Sequence, residues 1–330
     1  MSNLAPKTAV VMPLAGMGDL VWHVPYFRAV AQQSADGVVA VIAKPSTFAA
    51  KLLSAEPCVA EVLYYDRHPR RSEKRHGQHS GLRGFWRMVE LLKSRHYDRI
   101  VLFSGKRKLA LLARAAGIPD RLGYGFNGVQ RVLLNHKPYI TAYHGPAVGV
   151  YKDATAFALA HGFCDRPQVP RMTLPDAAVA RASHRVAHLR RPLWAFAIGA
   201  SETYKQWGSA NFAGLAQTVI GKGGSVALIG GPMDAPMAAA IVAGLAPDAA
   251  AFLTAFTGLD VVDAAAVLQA ADVCVGNDTG MLNVAAACRT RTCCLLGPRE
   301  LLEHDPELIL VRSKNLRDIQ PAEVMAALTH

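Results

Sequence analysis

The chain has 330 residues, with 36 lysines and arginines against 25 aspartates and glutamates, a formal charge of +11. This length is enough for two domains. The composition, with 51% hydrophobic and only 18% charged residues, excludes a disordered chain and a charged coiled coil. No apolar run reaches the ~18 residues of a membrane-spanning helix, and we expect no secretory signal. Six cysteines without a CxxC motif favour a reducing cytoplasm over a disulfide framework.

The positive charge is concentrated in the first half of the chain. Residues 1–180 contain 24 basic and 12 acidic residues, whereas residues 181–330 contain 12 and 13. The densest stretch runs from Arg67 to Lys108, with 13 basic residues against three acidic ones. This asymmetry indicates a half that faces an anion, such as nucleic acid, an acidic membrane surface or a phosphorylated substrate. A solvated basic face is an equally good interpretation of the charge alone.

The first half predicts strands and helices in alternation, because short apolar runs are followed by segments with helical periodicity. The predicted strands are Thr8–Leu14, Val38–Ala43, Glu61–Tyr65 and Arg99–Phe103, and the predicted helices are Leu20–Val30, Thr47–Leu53, Leu82–Ser94 and Lys106–Ala116. Alternation of this kind is typical of a parallel sheet with helices on both faces.

The second half repeats the same alternation after a predicted linker, Cys164–Pro175, which has three prolines and no helical period. The predicted strands are Leu193–Ile198, Ser225–Ile229, Asp272–Val275 and Thr292–Leu296, and the predicted helices are Ser209–Ile220, Met233–Leu245, Val261–Ala270, Thr279–Ala287 and Pro321–Leu328. We therefore predict two doubly wound α/β domains, residues 1–175 and 176–310. The C-terminal segment, residues 311–330, is expected to pack its helix back towards the N-terminal domain.

The turn Gly16-Met17-Gly18-Asp19 follows the first predicted strand, at the end where open α/β sheets bind ligands. Its glycines allow a sharp turn and the close approach of a ligand, but Val21 replaces the third glycine of a dinucleotide fingerprint. Asp19 is interpreted either as a helix cap or as a base that takes a proton from a hydroxyl group.

Three loops of the second half are suited to the phosphate and ribose groups of a nucleotide. The loop Gly199–Trp207 offers hydroxyl groups and a cation, at Ser201, Thr203 and Lys205. The segment Asp278–Met281 presents backbone amides at a helix N-terminus, which favours an anion. Asp234, after Gly230-Gly231, is placed to accept hydrogen bonds from a ribose. A solvated loop and helix caps at the two aspartates are the alternative interpretations.

In order and spacing, these motifs resemble glycosyltransferase family 9, the bacterial heptosyltransferases of the lipopolysaccharide inner core. The resemblance covers nearly the whole chain, and its motifs are Gly16–Asp19 with Pro25, Gly199-Ala200-Ser201, Lys205-Gln206-Trp207, Gly230-Gly231, Ala271–Gly280 with Ala285–Ala287, and Leu295–Pro298. It implies the GT-B fold, in which two Rossmann-like domains face a central cleft. It also implies that a heptose is transferred from ADP-heptose with inversion.

The resemblance also implies roles for single residues. Asp19 is the catalytic base, Lys205 binds the donor diphosphate and Asp234 contacts the ribose. The donor-binding residues are Ser201, Thr203, Lys205, Asp234, Asp278, Thr279, Gly280 and Met281. A Kdo- or lipid A-type acidic glycolipid acceptor is assigned to Gly18, His23, Arg70, Arg71, Arg75 and Arg83. His23 is equally well explained as a core or surface histidine.

We expect no metal site and no required cofactor, with Mg²⁺ as the one option left open. The histidines His68, His76 and His79 lack the spacing of metal ligands. The expected partners are the nucleotide sugar, the glycolipid and the membrane surface, and nucleic acid is not among them. The expected location is the cytoplasm, peripheral at the inner face of the inner membrane.

The chain departs from the family pattern at two positions, and the function has alternatives. Gly208 stands where the family usually has proline, and Asn283 stands where it often has histidine. The donor is therefore open between ADP-heptose and another nucleotide sugar. A GT-B-fold nucleotide-sugar epimerase would need no acceptor groove, so the basic stretch argues mildly against it. The chain also lacks the strands with interleaved aromatic residues that are typical of many nucleic-acid-binding proteins, which argues against nucleic-acid binding.

Overall fold

The computed structural model describes residues 5–69, 73–145, 149–200, 202–298 and 305–329. The chain forms two compact units, Met1–Pro170 and Arg171–His330. The boundary between them falls inside the segment Cys164–Pro175 that the sequence predicts as a linker. In the described part of the chain, no helix has both the length and the apolar character needed to cross a membrane.

The first unit is built on five parallel strands in the order β3-β2-β1-β4-β5. The strands are β1 Thr8–Val11, β2 Val39–Ala43, β3 Val59–Tyr64, β4 Arg99–Leu102 and β5 Asp120–Gly123. The helices are α1 Met17–Ala31, α2 Ala49–Leu52, α3 Gly81–Arg95, α4 Arg107–Ala115, α5 Gly128–Leu133 and α6 Gly149–Ala160. Helix α4 contacts both α3 and α5, and α1 contacts α6.

The second unit is built on six parallel strands in the order β11-β10-β9-β6-β7-β8. The strands are β6 Leu193–Ala197, β7 Ser225–Ile229, β8 Leu253–Phe256, β9 Val273–Asn277, β10 Arg291–Leu296 and β11 Leu308–Arg312. The helices are α7 Asp176–Val186, α8 Ser209–Gly221, α9 Ala235–Ala243, α10 Val261–Ala270, α11 Gly280–Ala287 and α12 Pro321–Thr329.

The predicted class of two doubly wound parallel α/β sheets is confirmed, and the strands that the sequence missed share one property. The strands β5, β8 and β11 each lie at the edge of a sheet. Edge strands are buried less completely than central ones, and β8 and β11 each contain a single buried residue. The sequences of β5 and β8 contain polar residues and lack the continuous apolar run of a central strand such as β6, which is buried throughout. The strand β11 does contain such a run, over residues 308–311, and its absence from the predicted strands was an error.

The last helix packs on its own unit. Helix α12 contacts α8 and β11 of the second unit, and its expected packing towards the N-terminal domain stays a prediction. Val324 and Leu328 lie one turn apart and enter the same core as Trp207 and Phe212. The apolar stripe of α12 thus completes the hydrophobic core of its own unit.

The strand orders indicate where a ligand is expected in each unit. The winding direction of the sheet changes between β1 and β4 in the first unit and between β6 and β9 in the second. Ligands of open α/β sheets bind outside the carboxyl ends of the strands at such a point. The turn with Asp19 follows β1, and the loops with Lys205 and Asp278 follow β6 and β9.

Candidate functional site

In the second unit, Lys205 and Asp278 line one cavity of about 440 Å³. Leu295–Pro298, at the end of β10, and Lys314 complete part of its wall. The Lys205 ammonium lies 3.0 Å from the Glu202 carboxylate, and the lysine side chain is only 18% exposed. The structure therefore brings together two residues that the sequence predicts as donor ligands. It adds a second cation, Lys314, which the sequence missed because the preceding strand β11 was not predicted.

Asn277 holds the loop that carries Lys205 against the end of β9. Its side chain is fully buried, and its Oδ1 accepts a hydrogen bond from the Trp207 backbone N–H at 3.0 Å. Its Nδ2 donates to the backbone carbonyls of Ile198 at 3.1 Å and Gly199 at 3.3 Å. The sequence analysis gave this residue no role. A buried amide that satisfies both of its polar groups on the neighbouring loop is a positioning residue for that loop.

The helix α11 begins directly after Asp278, with Thr279 as its N-cap residue in an extended conformation. The first N–H groups of the helix, including those of Gly280 and Met281, have no carbonyl partner within the helix. Asn283, where the family often has histidine, donates from Nδ2 to the Thr279 carbonyl at 2.9 Å. The positive end of the α11 dipole is thus at the predicted phosphate position.

Asp234 follows β7 and serves as a cap in the structure. Its Oδ2 accepts a hydrogen bond from the Gly231 N–H at 2.8 Å. A Cβ atom on Gly199 would lie 2.8 Å from the same oxygen, so the carboxylate stands beside the start of the Lys205 loop. Asp234 does not line the cavity of Lys205, and its contact with a ribose stays a prediction. The predicted residue Ser201 lies outside the described residues, as does the side chain of Thr203.

Gly208 lies just before α8 in a backbone conformation that proline cannot adopt. The residue has a φ of +104°, and proline holds φ near about −65°. A proline therefore does not fit the backbone that this chain uses between Lys205 and α8.

In the first unit, Asp19 lies in the first turn of α1 and is partly exposed. Its Oδ2 accepts a hydrogen bond from the Gly16 N–H at 3.0 Å. A Cβ atom on residue 16 would lie 2.8 Å from that oxygen, so a larger residue there would displace the Asp19 carboxylate. The capping interpretation is confirmed. The role of Asp19 as a base, and that of Gly18 at the acceptor, stay predictions.

His23 is corrected from an acceptor ligand to a core residue. Its side chain is fully buried and packs against the rings of Phe27 and Phe103. Its Nδ1–H donates to the backbone carbonyl of Asp19 at 2.6 Å, because a carbonyl can only accept. Burial lowers the pKa of His23 to about 4, so the ring is neutral at physiological pH. In this position the side chain cannot reach a ligand.

The first unit has a cavity of about 400 Å³ at the carboxyl ends of β1, β2, β3 and β4. Its apolar floor includes Val11, Met12 and Ile42, and its cations are Lys44, Arg67, Lys106, Arg107 and Lys108. None of these cations was named by the sequence analysis as a ligand. Their positions in the sequence could have identified them, because each of these cations follows the end of a strand, as Asp19 does.

His68 lines the same cavity, and the positive charge of the cavity affects its pKa. Burial lowers the pKa of His68, and the charges of Arg67, Lys44, Lys108 and Lys106 lower it further. The Nε atom of Arg67 is buried and has no hydrogen-bond partner among the described residues. A buried guanidinium N–H in a field of four cations is suited to an anion such as a carboxylate or a phosphate.

The predicted acceptor arginines are not equivalent in the structure. Arg70 and Arg71 lie outside the described residues, and Arg83 is exposed on α3. Arg75 is corrected to a residue that holds its own loop, because its guanidinium binds Asp66 at 2.5 Å and Glu73 at 2.8 Å. Asp66 is nearly buried and needs this cation.

Two doubly wound units, each with a cation-lined cavity at the carboxyl ends of its strands, have the architecture of the GT-B fold. Residues 85–308 match the model of glycosyltransferase family 9 (heptosyltransferase). The chain belongs to this family.

Similar proteins agree with this assignment. The chain is 29% identical over 216 residues to lipopolysaccharide heptosyltransferase 2 of Escherichia coli (strain K12), an alignment that covers 63% of this chain and 62% of that protein. The aligned region therefore spans less than two thirds of that relative. The structure of E. coli ADP-heptose LPS heptosyltransferase II has a TM-score of 0.75 at 22% identity, covering 98% of this chain and 97% of that chain. E. coli heptosyltransferase WaaC with ADP-2-deoxy-2-fluoro heptose has a TM-score of 0.73 at 19% identity, covering 98% and 99%. Both share the fold.

The Asp66–Arg75 pair predicts how stability depends on pH. Burial alone would raise the pKa of Asp66, but hydrogen bonds from Arg75 and from the Gln78 N–H hold this pKa below the ordinary value of an aspartate. The pair therefore stabilises the folded state above a pH of about 4 and is lost as the pH falls through the lowered pKa. We expect Asp66→Asn to lower Tm at neutral pH, with a difference from wild type that shrinks in acid.

Thermal melts at a series of pH values measure this difference. Asp36→Asn, which changes an exposed carboxylate of the same unit, is the matched control and should shift Tm little at any pH. A difference for Asp66→Asn that stays constant down to the acid limit would contradict the ion-pair explanation.

Proposed function

We propose that the protein is an inverting glycosyltransferase that transfers a heptose from ADP-heptose to an acidic acceptor of the lipopolysaccharide inner core. The observation that carries this proposal is the cavity that Lys205 and Asp278 share beside the N-terminus of α11. The similar E. coli proteins, an LPS heptosyltransferase and heptosyltransferase WaaC in a structure with ADP-2-deoxy-2-fluoro heptose, support the same donor.

The second unit supplies charge stabilisation to the leaving group. As the bond between the heptose C1 and the diphosphate oxygen breaks, its electron pair goes to that oxygen and ADP departs. The Lys205 ammonium and the N–H groups at the start of α11 neutralise this charge without a metal ion. Lys205 must exchange the Glu202 carboxylate for the diphosphate, because the two side chains form an ion pair in this structure. Asp234 accepts hydrogen bonds from the ribose.

The first unit supplies the base and binds the acceptor. Asp19 takes the proton of the acceptor hydroxyl, whose oxygen forms the new bond to C1 on the face opposite to the leaving group. The cations around Arg67 and Lys106 bind the negative groups of a Kdo- or lipid A-type glycolipid. Because this acceptor is anchored in lipid, the protein works in the cytoplasm at the inner face of the inner membrane.

A different nucleotide sugar is the second candidate, because Asn283 provides an amide in place of an imidazole. A nucleotide-sugar epimerase has one substrate and would leave the cationic cavity of the first unit unused. A thermal-shift panel of ADP-, UDP-, GDP- and CMP-sugars separates these donors. Selective stabilisation by ADP-heptose is expected, and selective stabilisation by another nucleotide would overturn the donor assignment.

Lys205→Ala should weaken ADP binding by about 10- to 100-fold, because a charge-assisted hydrogen bond to the diphosphate is lost. Isothermal titration calorimetry with ADP measures the change. Lys222→Ala removes an exposed lysine just after α8 and should leave the Kd unchanged. An unaltered Kd for Lys205→Ala would refute the role of this lysine.

Asp19→Asn should lower turnover by about 100-fold or more while leaving the Kd for ADP-heptose unchanged, because the base acts only in transfer. Asparagine can still accept the Gly16 hydrogen bond, so Tm should stay near that of the wild type. A coupled assay of ADP release with a deacylated acceptor gives the rate. Turnover near the wild-type value would remove Asp19 from the mechanism.

Arg67→Ala should raise the KM for the acceptor by about tenfold or more and leave the KM for the donor unchanged, because its buried Nε–H would bind an acceptor anion. Arg114→Ala, at the exposed far end of α4, is the matched control and should change neither constant. An equal rise in both KM values would contradict an acceptor site in this cavity.

A further inference from the structure

The outer face of α3 exposes two large apolar side chains one helical turn apart. Leu82 is 81% exposed and Trp86 is 53% exposed. The inner face of the same helix packs Met88, Val89 and Leu92 into the core of the first unit. Burial within this unit therefore does not explain the outer pair, and side chains of this size normally find cover.

Arg83 and Arg87 lie beside this apolar pair, also one turn apart and exposed. Within the described residues, neither arginine has a carboxylate partner, whereas Lys93 and Arg95 at the other end of the helix pair with Glu90 and Glu61. The first turns of α3 thus combine exposed apolar groups with uncompensated positive charge. This combination is typical of helices that lie in the interface of an anionic membrane.

The same end of α3 is tied directly to the cationic cavity. The Ser80 hydroxyl, at the N-cap of α3, donates to the Arg67 backbone carbonyl at 2.5 Å. The His79 backbone N–H donates to the Asp66 carbonyl at 2.8 Å. Arg67 and His68 line the cavity, so the exposed patch and the cavity are joined by one short segment.

We propose that the first two turns of α3 dock on an anionic lipid bilayer. Leu82 and Trp86 enter the headgroup region, where tryptophan is favoured, and Arg83 and Arg87 bind lipid phosphates. The inference rests on the proposed function, because a lipid-anchored acceptor gives the docking its purpose. Docking holds the segment of Arg67 close to the membrane surface from which the acidic saccharide projects.

A bilayer fits this patch better than a second protein molecule does. A stable protein interface buries roughly 800 Å² on each partner, which two apolar side chains cannot supply. Charge complementarity also favours anionic lipid, because the stretch from Arg67 to Lys108 has 13 basic residues against three acidic ones. Binding through two apolar side chains and a few cations is reversible and weakens as salt is added.

Flotation with vesicles of phosphatidylethanolamine and phosphatidylglycerol tests the docking, with phosphatidylcholine vesicles as the neutral comparison. The wild type should float with the anionic vesicles, and the Leu82→Ser, Trp86→Ser double variant should bind them about tenfold or more weakly. Met233→Ser is the matched control, because it removes an apolar side chain that is 91% exposed in the second unit, and it should bind like the wild type. Equal binding by the double variant, or no wild-type binding, would overturn the proposal.

Transfer assays separate this proposal from the proposed function. The double variant should keep wild-type turnover on a soluble deacylated acceptor and lose turnover on an acceptor held in vesicles. Loss on both acceptors would contradict the docking role. An absence of heptose transfer by the wild type would contradict the proposed function, and the vesicle assay would still test the docking. Dimerisation of the wild type that the double substitution abolishes would assign the patch to a second copy instead.

Discussion

All strands of each sheet run parallel, so their carboxyl ends lie together along one edge of the sheet. This edge is formed by strand ends, not by an outermost strand, and the N-termini of the helices that follow the strands lie beside it. This edge carries the positive ends of the helix dipoles and N–H groups that lack a helical partner. The buried sheets fix its position, because strands such as β6 and β7 are covered on both faces. Both cavities with candidate ligands lie at this edge, and the chemistry of each depends on which side chains the loops there carry.

The two units use this edge in different ways. The second unit, with a nearly neutral sequence, provides Lys205, Lys314 and the start of α11, and the buried amide of Asn277 holds the loop that carries Lys205. A few groups that are held in place suit a ligand of fixed shape such as a diphosphate. The first unit gathers five cations around an apolar floor. This arrangement suits a larger ligand with several negative groups, and it gives the charge asymmetry of the chain a physical role.

The sequence could predict the central strands and the loops directly after them, because both follow from local patterns. The Gly16–Asp19 turn and the pair Lys205 and Asp278 were found in this way. Burial and partners distant in the chain leave no such pattern. His23 has the spacing of a helix residue near a site, but only the packing of Phe103 shows that it is enclosed. As an arginine in a basic stretch, Arg75 was predicted to bind an anionic acceptor, but only the folded loop shows that its guanidinium binds Asp66.

The two departures from the family pattern, Gly208 and Asn283, are uncharged and lie in the segments that follow β6 and β9. Gly208 takes a φ of +104°, which a proline cannot adopt, so the chain leaves the Lys205 loop along a path that only glycine follows without strain. Asn277 then ties the same loop to β9 at Trp207, and the Trp207 indole donates to the Ile319 carbonyl at 2.9 Å. Asn283 uses its amide within α11, at Thr279. Among the described residues that line this cavity, the cations are Lys205 and Lys314, and the start of α11 lies beside it. Cations and backbone N–H groups suit a diphosphate whatever sugar it carries, so they hold no information about the identity of the sugar.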